Sequence, residues 1–208
     1  MALEDKSVLI KRAFLLEYFT ISWNVLEGIV SIAAGIAAGS IALVGFGLDS
    51  FIEVTSGAVI IWRFRQHGLG EEIETAAERR AVLIVGVTFL LLAVYVLFES
   101  SRKLLLQEYP EESTLGIIVT AVSLAVMPGL AYLKHTTATR LDSGALMADA
   151  KETLACSYLS LTVLIGLAAN AMLGWWWADP LAGLAIVYWL VREGLEAINE
   201  TREGEDEE

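Results

Sequence analysis

Carboxylates stand inside stretches of this chain that are otherwise apolar enough to cross a bilayer, and any fold it adopts must give each of them a place. Asp49 and Glu53 lie in GFGLDSFIEVTSG; Asp149, Glu152 and then Cys156 lie in ALMADAKETLACSYLS. A carboxylate near the centre of a spanning helix costs roughly 2.5–3.5 kcal/mol on insertion scales, so each needs a reason to be there. Spacing supplies one. Residues three and four apart on a helix share a face, with Cβ atoms about 5–6 Å apart. Asp49 and Glu53 thus form one oxygen cluster, and Asp149, Glu152 and Cys156 form a second. Facing each other, the two would make a site for a divalent cation.

The rest of the composition fits a membrane chain. The 208 residues are 56% hydrophobic with a mean hydropathy of +0.60, whereas soluble domains average about 45–50% apolar. The expected class is an all-α polytopic membrane protein in the cell (cytoplasmic) membrane, with the lipid bilayer as its surroundings. A cleavable signal peptide is not expected, because the first apolar segment carries Glu17, Asn24 and Glu27 and no small-residue cleavage site follows it. One cysteine excludes an internal disulfide, leaving Cys156 as a packing residue or a thiolate ligand. The net charge of −12 argues against a nucleic-acid partner. Much of that charge sits in GEEIETAAE after residue 69 and in the terminal EGEDEE.

Six helices are predicted, at about 13–36, 41–63, 80–100, 115–133, 143–172 and 178–198, making residues 1–198 one transmembrane domain. Residues 199–208 are expected to form a disordered acidic tail. Ala81 to Phe98 is uncharged throughout and is the cleanest span. Hydropathy alone would run one helix across Gly28 to Leu48, but that would strand the apolar segments 13–23 and 54–62 outside the membrane. GIAAGS at 35–40 offers a tight turn between two spans instead. With a cytoplasmic N-terminus, the inner segments hold Lys6, Lys11, Arg12, Arg63, Arg65, Arg79, Arg80, Lys134, Arg140, Arg192 and Arg202, eleven of the 14 basic residues. Arg102 and Lys103 fall outside and Lys151 within a span, a bias that predicts both termini cytoplasmic.

Several features read as structural. Gly35 and Gly39 suggest close helix packing, and Pro128 a kink in the fourth helix. Trp175, Trp176 and Trp177 suit an interfacial belt. Asp179-Pro180 reads as a helix start, and Asp142-Ser143 as an N-cap.

Taken in order, these segments resemble the cation diffusion facilitator family of metal transporters. GIAAGSIALVGFGLDSFIE is similar to that family's second-helix signature, LDSGALMADAKETLACSYLS to its fifth-helix signature, and WWWADPLAGLAIVYWLVREG to its last helix. The resemblance implies export of a divalent metal, commonly in exchange for protons, by homodimers with six helices per subunit. It also implies a transport site of Asp49, Glu53, Glu152 and Cys156. Zinc-exporting members usually carry His and Asp where Glu152 and Cys156 stand. The chain also stops soon after the last helix, so the family's common cytoplasmic metal-binding domain is expected to be absent.

Carboxylates with one thiolate suit tetrahedral Zn²⁺ best, with Cd²⁺, Co²⁺, Fe²⁺ or Mn²⁺ tolerated. Mg²⁺, which wants octahedral oxygen and keeps its waters, is disfavoured. The metal is the substrate, and no prosthetic cofactor is expected. Metal ligands must be deprotonated to bind, so metal and protons compete for the site. Asp149 is open to three roles: fifth ligand, proton carrier or hydrogen-bond partner to the ligands. Asn24 and Glu27, three apart on the first helix, either complete the coordination shell or bond between helices. Glu17, near the cytoplasmic end, can be simply solvated. His67 with Glu71, Glu72 and Glu74 forms at most a loose loop site, and His135 is placed in another loop. Two other functions fit the same residues: a membrane metal-binding or assembly protein without transport, and an organic-cation carrier. No Ser/His/Asp arrangement or phosphate loop appears, so an enzyme is not expected.

Overall fold

A computed structural model describes residues 3–67 and 76–206 of the chain. Six helices account for the described residues: α1 (Leu3–Ala38), α2 (Ile41–His67), α3 (Ala76–Leu106), α4 (Thr114–Leu141), α5 (Gly144–Leu173) and α6 (Ala178–Asp206). Five of them, α1 to α5, are long and apolar enough to cross a membrane. Arg192, Glu193 and Glu196 keep α6 from meeting the same test by composition. It nevertheless packs along α3 more extensively than any other pair in the bundle does. The fold is that of an all-α, multi-pass membrane protein. Its outward faces agree, carrying exposed Leu15, Ile36, Leu91, Val94, Phe98 and Ile165, while acids, amides and hydroxyls are turned inward.

Local chemistry sets the helix ends. Between α1 and α2 the chain turns at Gly39, whose φ of +63° suits a residue without Cβ. The Ser40 hydroxyl then accepts from the Leu43 N–H at 3.1 Å to start α2. Gly39 therefore serves the turn rather than a packing stripe with Gly35. Gly35 alone makes the close approach, and a Cβ there would lie 2.8 Å from the Val44 backbone nitrogen. Ser113 caps α4 and Ser143 caps α5, and Asp142 ends α4 in the left-handed region. Helix α4 stays helical through Pro128. At the far end of the last connection, Trp175 and Trp177 stack with ring centroids 4.9 Å apart.

Asp179 does more than begin α6. Its carboxylate accepts from the Ser40 hydroxyl and, at 3.0 Å, from the Ile41 N–H, tying the start of α6 to the start of α2. Lys103 of α3 joins the same corner by donating to the Gly39 carbonyl at 2.7 Å.

Two expectations need correction. Lys134 and His135 are not in a loop, because α4 continues eight residues past the expected end at 133. Lys134 is fully buried there, its ammonium held by acids of other helices, whereas His135 sits on the exposed side. That pairing lets the helix continue past the end of the apolar run. Helix α6 likewise runs to Asp206, so helix occupies part of the segment expected to be disordered. Glu and Arg are good helix formers and propagate a helix already nucleated in the bundle. The loop grouping of His67 with Glu71, Glu72 and Glu74 lies outside the described side chains.

Small residues bring the backbones together, as expected where lipid supplies no hydrophobic drive between helices. A Cβ on Gly47 of α2 would lie 2.9 Å from the Ile32 backbone nitrogen and 3.0 Å from the Gly28 carbonyl of α1. Across α3 and α6, a Cβ on Gly194 would meet the Gly86 carbonyl at 2.9 Å. By contrast, a Cβ on Gly129 meets nothing within 4 Å. Gly47→Val should thus cost about 1–3 kcal/mol through overpacking, lowering the unfolding midpoint by several degrees. Gly129→Ala should be neutral or stabilising by up to about 1 kcal/mol. Tryptophan-monitored thermal unfolding in detergent separates the two; equal midpoints would refute the packing assignment.

Candidate metal centre

Three helices carry acids into one interior cavity. Helix α2 presents Asp49 and Glu53 one turn apart, and α5 presents Glu152 and Cys156 with the same spacing. All four line a single cavity together with Phe89, Ala155, Leu159, Trp189 and Leu190. Helix α6 adds Glu193 to the lining. The cavity leaves about 20 Å³ for the centre of a water-sized sphere, and a buried water needs roughly 10–15 Å³ by that measure. It therefore has room for one water or one dehydrated ion. Asp49, Glu53 and Cys156 are buried, Cys156 to 1% exposure, while Glu152 and Glu193 are half-buried.

Hydrogen bonds from neighbouring helices fix two of these carboxylates. Asn24 of α1 donates to Glu53 Oε2 at 2.9 Å, and Ser56 of α2 donates to Glu152 Oε2 at 2.8 Å. The remaining oxygens of the first pair, Asn24 Oδ1 and Glu53 Oε1, are buried without a hydrogen-bond partner. Buried polar atoms of this kind are rare because each forfeits its solvation. A cation in the cavity is one species that would satisfy an acceptor there. Held as they are, no three His, Cys, Asp or Glu groups among the described residues converge closely enough to chelate an ion.

The remaining candidates stand apart from the cavity. Glu27 accepts from the Ser50 hydroxyl and from the Trp23 indole, each at 2.8 Å, and Trp23 also donates to Ser123 at 3.1 Å. It thereby links α1, α2 and α4 without lining the cavity. Asp149 turns to Lys134 instead, in a fully buried cluster with Glu17 and Thr153. Glu17 is correspondingly not solvated: its exposure is 0%. Lys151 points out to the surface.

Sequence reasoning missed two charged groups, Lys134 and Glu193. Glu193 stands one turn after Trp189, on the stripe of α6 that also carries Leu190 into the cavity. That spacing was readable; its apparent place near the end of the last span concealed it. For Lys134 the signal was the polar run KHTTATR, which reads as loop by composition alone.

A multi-pass helical bundle with an ion-sized acidic cavity among its helices defines a class of membrane protein. The chain belongs to the cation efflux family: the model of the cation efflux transmembrane domain matches residues 18–203. A cation-efflux pump, FieF, of Shewanella oneidensis is 24% identical over 177 residues, spanning 80% of this chain and 58% of the pump. An uncharacterized transporter of Synechocystis is 24% identical over 171 residues, with 78% and 54% covered. Transmembrane protein 163 of Xenopus laevis is 22% identical over 191 residues, with 90% and 66% covered. The chain thus spans between about half and two thirds of these relatives' lengths.

Because Cys156 is the chain's one cysteine, its alkylation reads out access to the cavity. Zn²⁺ should slow maleimide labelling of the folded protein several-fold by binding the reactive thiolate, and Mg²⁺ should not. An unchanged rate with Zn²⁺ would mean that Cys156 only packs.

Proposed function

We propose that this protein exports divalent transition-metal ions, Zn²⁺ first among them, from the cytoplasm in exchange for protons. It would do so as a homodimer with both termini on the cytoplasmic side. The observation that carries the reading is the shared cavity: Asp49 and Glu53 of α2 and Glu152 and Cys156 of α5 line one buried space of about single-ion size.

The chemistry of the donors favours the metal class. Three carboxylates and a thiolate can surround Zn²⁺ tetrahedrally, and the thiolate extends tolerance to Cd²⁺ and related soft ions. Mg²⁺ gains little from a sulfur donor and is reluctant to shed its waters. Glu193 is a further carboxylate lining the cavity, from a third helix.

Coupling follows from competition. The ligands bind metal only when deprotonated, so each ion that enters displaces protons and each that leaves readmits them. Metal affinity should accordingly rise as pH rises. With the cavity open alternately to either side, that opposition suffices for exchange, and a proton gradient drives metal outward.

The test is reconstitution in liposomes with Zn²⁺ flux and lumenal pH followed together. Altering even hydrogen-bond partners of metal ligands typically lowers affinity about 10–100-fold. Asn24→Ala and Ser56→Ala should fall in that range, and Asp49→Ala or Glu53→Ala should lose more. Cys156→Ser should depress Cd²⁺ handling more than Mn²⁺. Parent-like flux in either acid variant would refute the site, whereas flux without a pH response would refute the exchange and leave the site standing. Binding with no flux would favour a metal-binding or assembly role.

A further inference from the structure

About one helical turn from the cavity lies a second constellation that the transport reading does not use. On α5, Thr153 adjoins Glu152. On α2, Gly57 is one turn beyond Glu53, and a Cβ there would lie 3.4 Å from Glu17 Oε2. In this second place the Lys134 ammonium of α4 donates to Asp149 Oδ2, to Glu17 Oε2 at 3.3 Å and to Thr153 Oγ1 at 3.3 Å. Lys134, Glu17 and Thr153 are each 0% exposed and Asp149 is 4% exposed.

Net stability alone is a weak explanation of this cluster. Buried ion pairs are often matched or bettered by apolar residues of similar volume, and charges within a membrane are costly and usually functional. Two carboxyl groups, from α1 and α5, also meet on one ammonium. Glu17 Oε1 is moreover fully buried without a hydrogen-bond partner. The oxygens from α1 and α5 therefore hold more acceptor capacity than the lysine uses.

We propose that Glu17, Asp149 and Thr153 form a second cation site, and that the Lys134 ammonium is its resident occupant, a tethered cation that keeps divalent ions out. The donor set is oxygen only, so the class of ion it would admit is hard and divalent, with Mn²⁺ a suitable probe. The inference concerns this site alone and does not depend on what the neighbouring cavity carries.

The experiment is equilibrium binding of Mn²⁺ to the full chain in detergent. K134A should bind one Mn²⁺ more per protomer than the parent chain, and E17Q/K134A/D149N should return to the parent value. The added ion should persist when D49A and E53A are combined with K134A, which separates this site from the cavity. A folded K134A that binds no additional Mn²⁺, or whose added ion vanishes with D49A and E53A, would overturn the proposal. Removing one partner of a buried ion cluster can also prevent folding. In that case Mn²⁺ supplied during expression should restore K134A to parent levels, because an ion bound only by the native state stabilises it. The neutral triple variant should accumulate without Mn²⁺. Failure of Mn²⁺ to restore K134A would equally overturn the proposal.

Discussion

Inside a bilayer no water is available to solvate a polar group, so each one turned away from lipid must be satisfied by the chain itself or by something the chain admits. That constraint organises this bundle. The exposed faces are apolar, and the interior holds Glu17, Asn24, Glu27, Asp49, Glu53, Lys134 and Asp149. Most of these are joined between different helices, Asn24 to Glu53, Ser50 to Glu27 and Lys134 to Glu17 and Asp149. The polar groups therefore fix which helix faces which, a role that apolar packing cannot fill when lipid is as apolar as leucine.

Two neighbouring regions answer the constraint in different ways. Around Lys134 the chain supplies its own cation. Around Asp49, Glu53, Glu152 and Cys156 no ammonium takes a direct hydrogen-bonding position in the hydrogen bonds described, and the neutral donors Asn24 and Ser56 hold single oxygens. The contrast gives the cavity its chemical character. It is an acidic space of ion size beside an acidic space already filled.

The two ends of the bundle are also unlike. At the α1–α2 turn, Asp179, Ser40 and Lys103 knit α2, α3 and α6 by hydrogen bonds to a tight corner. Toward the opposite end, Lys134 of α4 ties α1 to α5 by ion pairs, beside an apolar cluster of Leu9, Ala13, Ile60, Ala138, Leu141 and Leu146. In the proposed exchange, one end of the bundle would loosen while the other stays shut.

Much of this was legible in the residues alone. Apolar length gave the helices, Gly39-Ser40 the turn that hydropathy would have missed, and i, i+4 spacing the pairing of Asp49 with Glu53 and of Glu152 with Cys156. Those are local properties, fixed by helical geometry wherever the segment sits. Which acids converge is a different matter, because it depends on how helices distant in sequence rotate and slide against one another. Asp149 shares a face with Glu152 by spacing, yet it turns to Lys134. Lys134 itself, read as a loop cation from its polar neighbours, proves fully buried. The sequence by itself determined which residues could bear the chemistry; only the packing of α1, α4 and α5 decided which acids keep a resident cation and which line an open cavity, since charge compensation is a contact between helices and leaves no trace in the spacing along one.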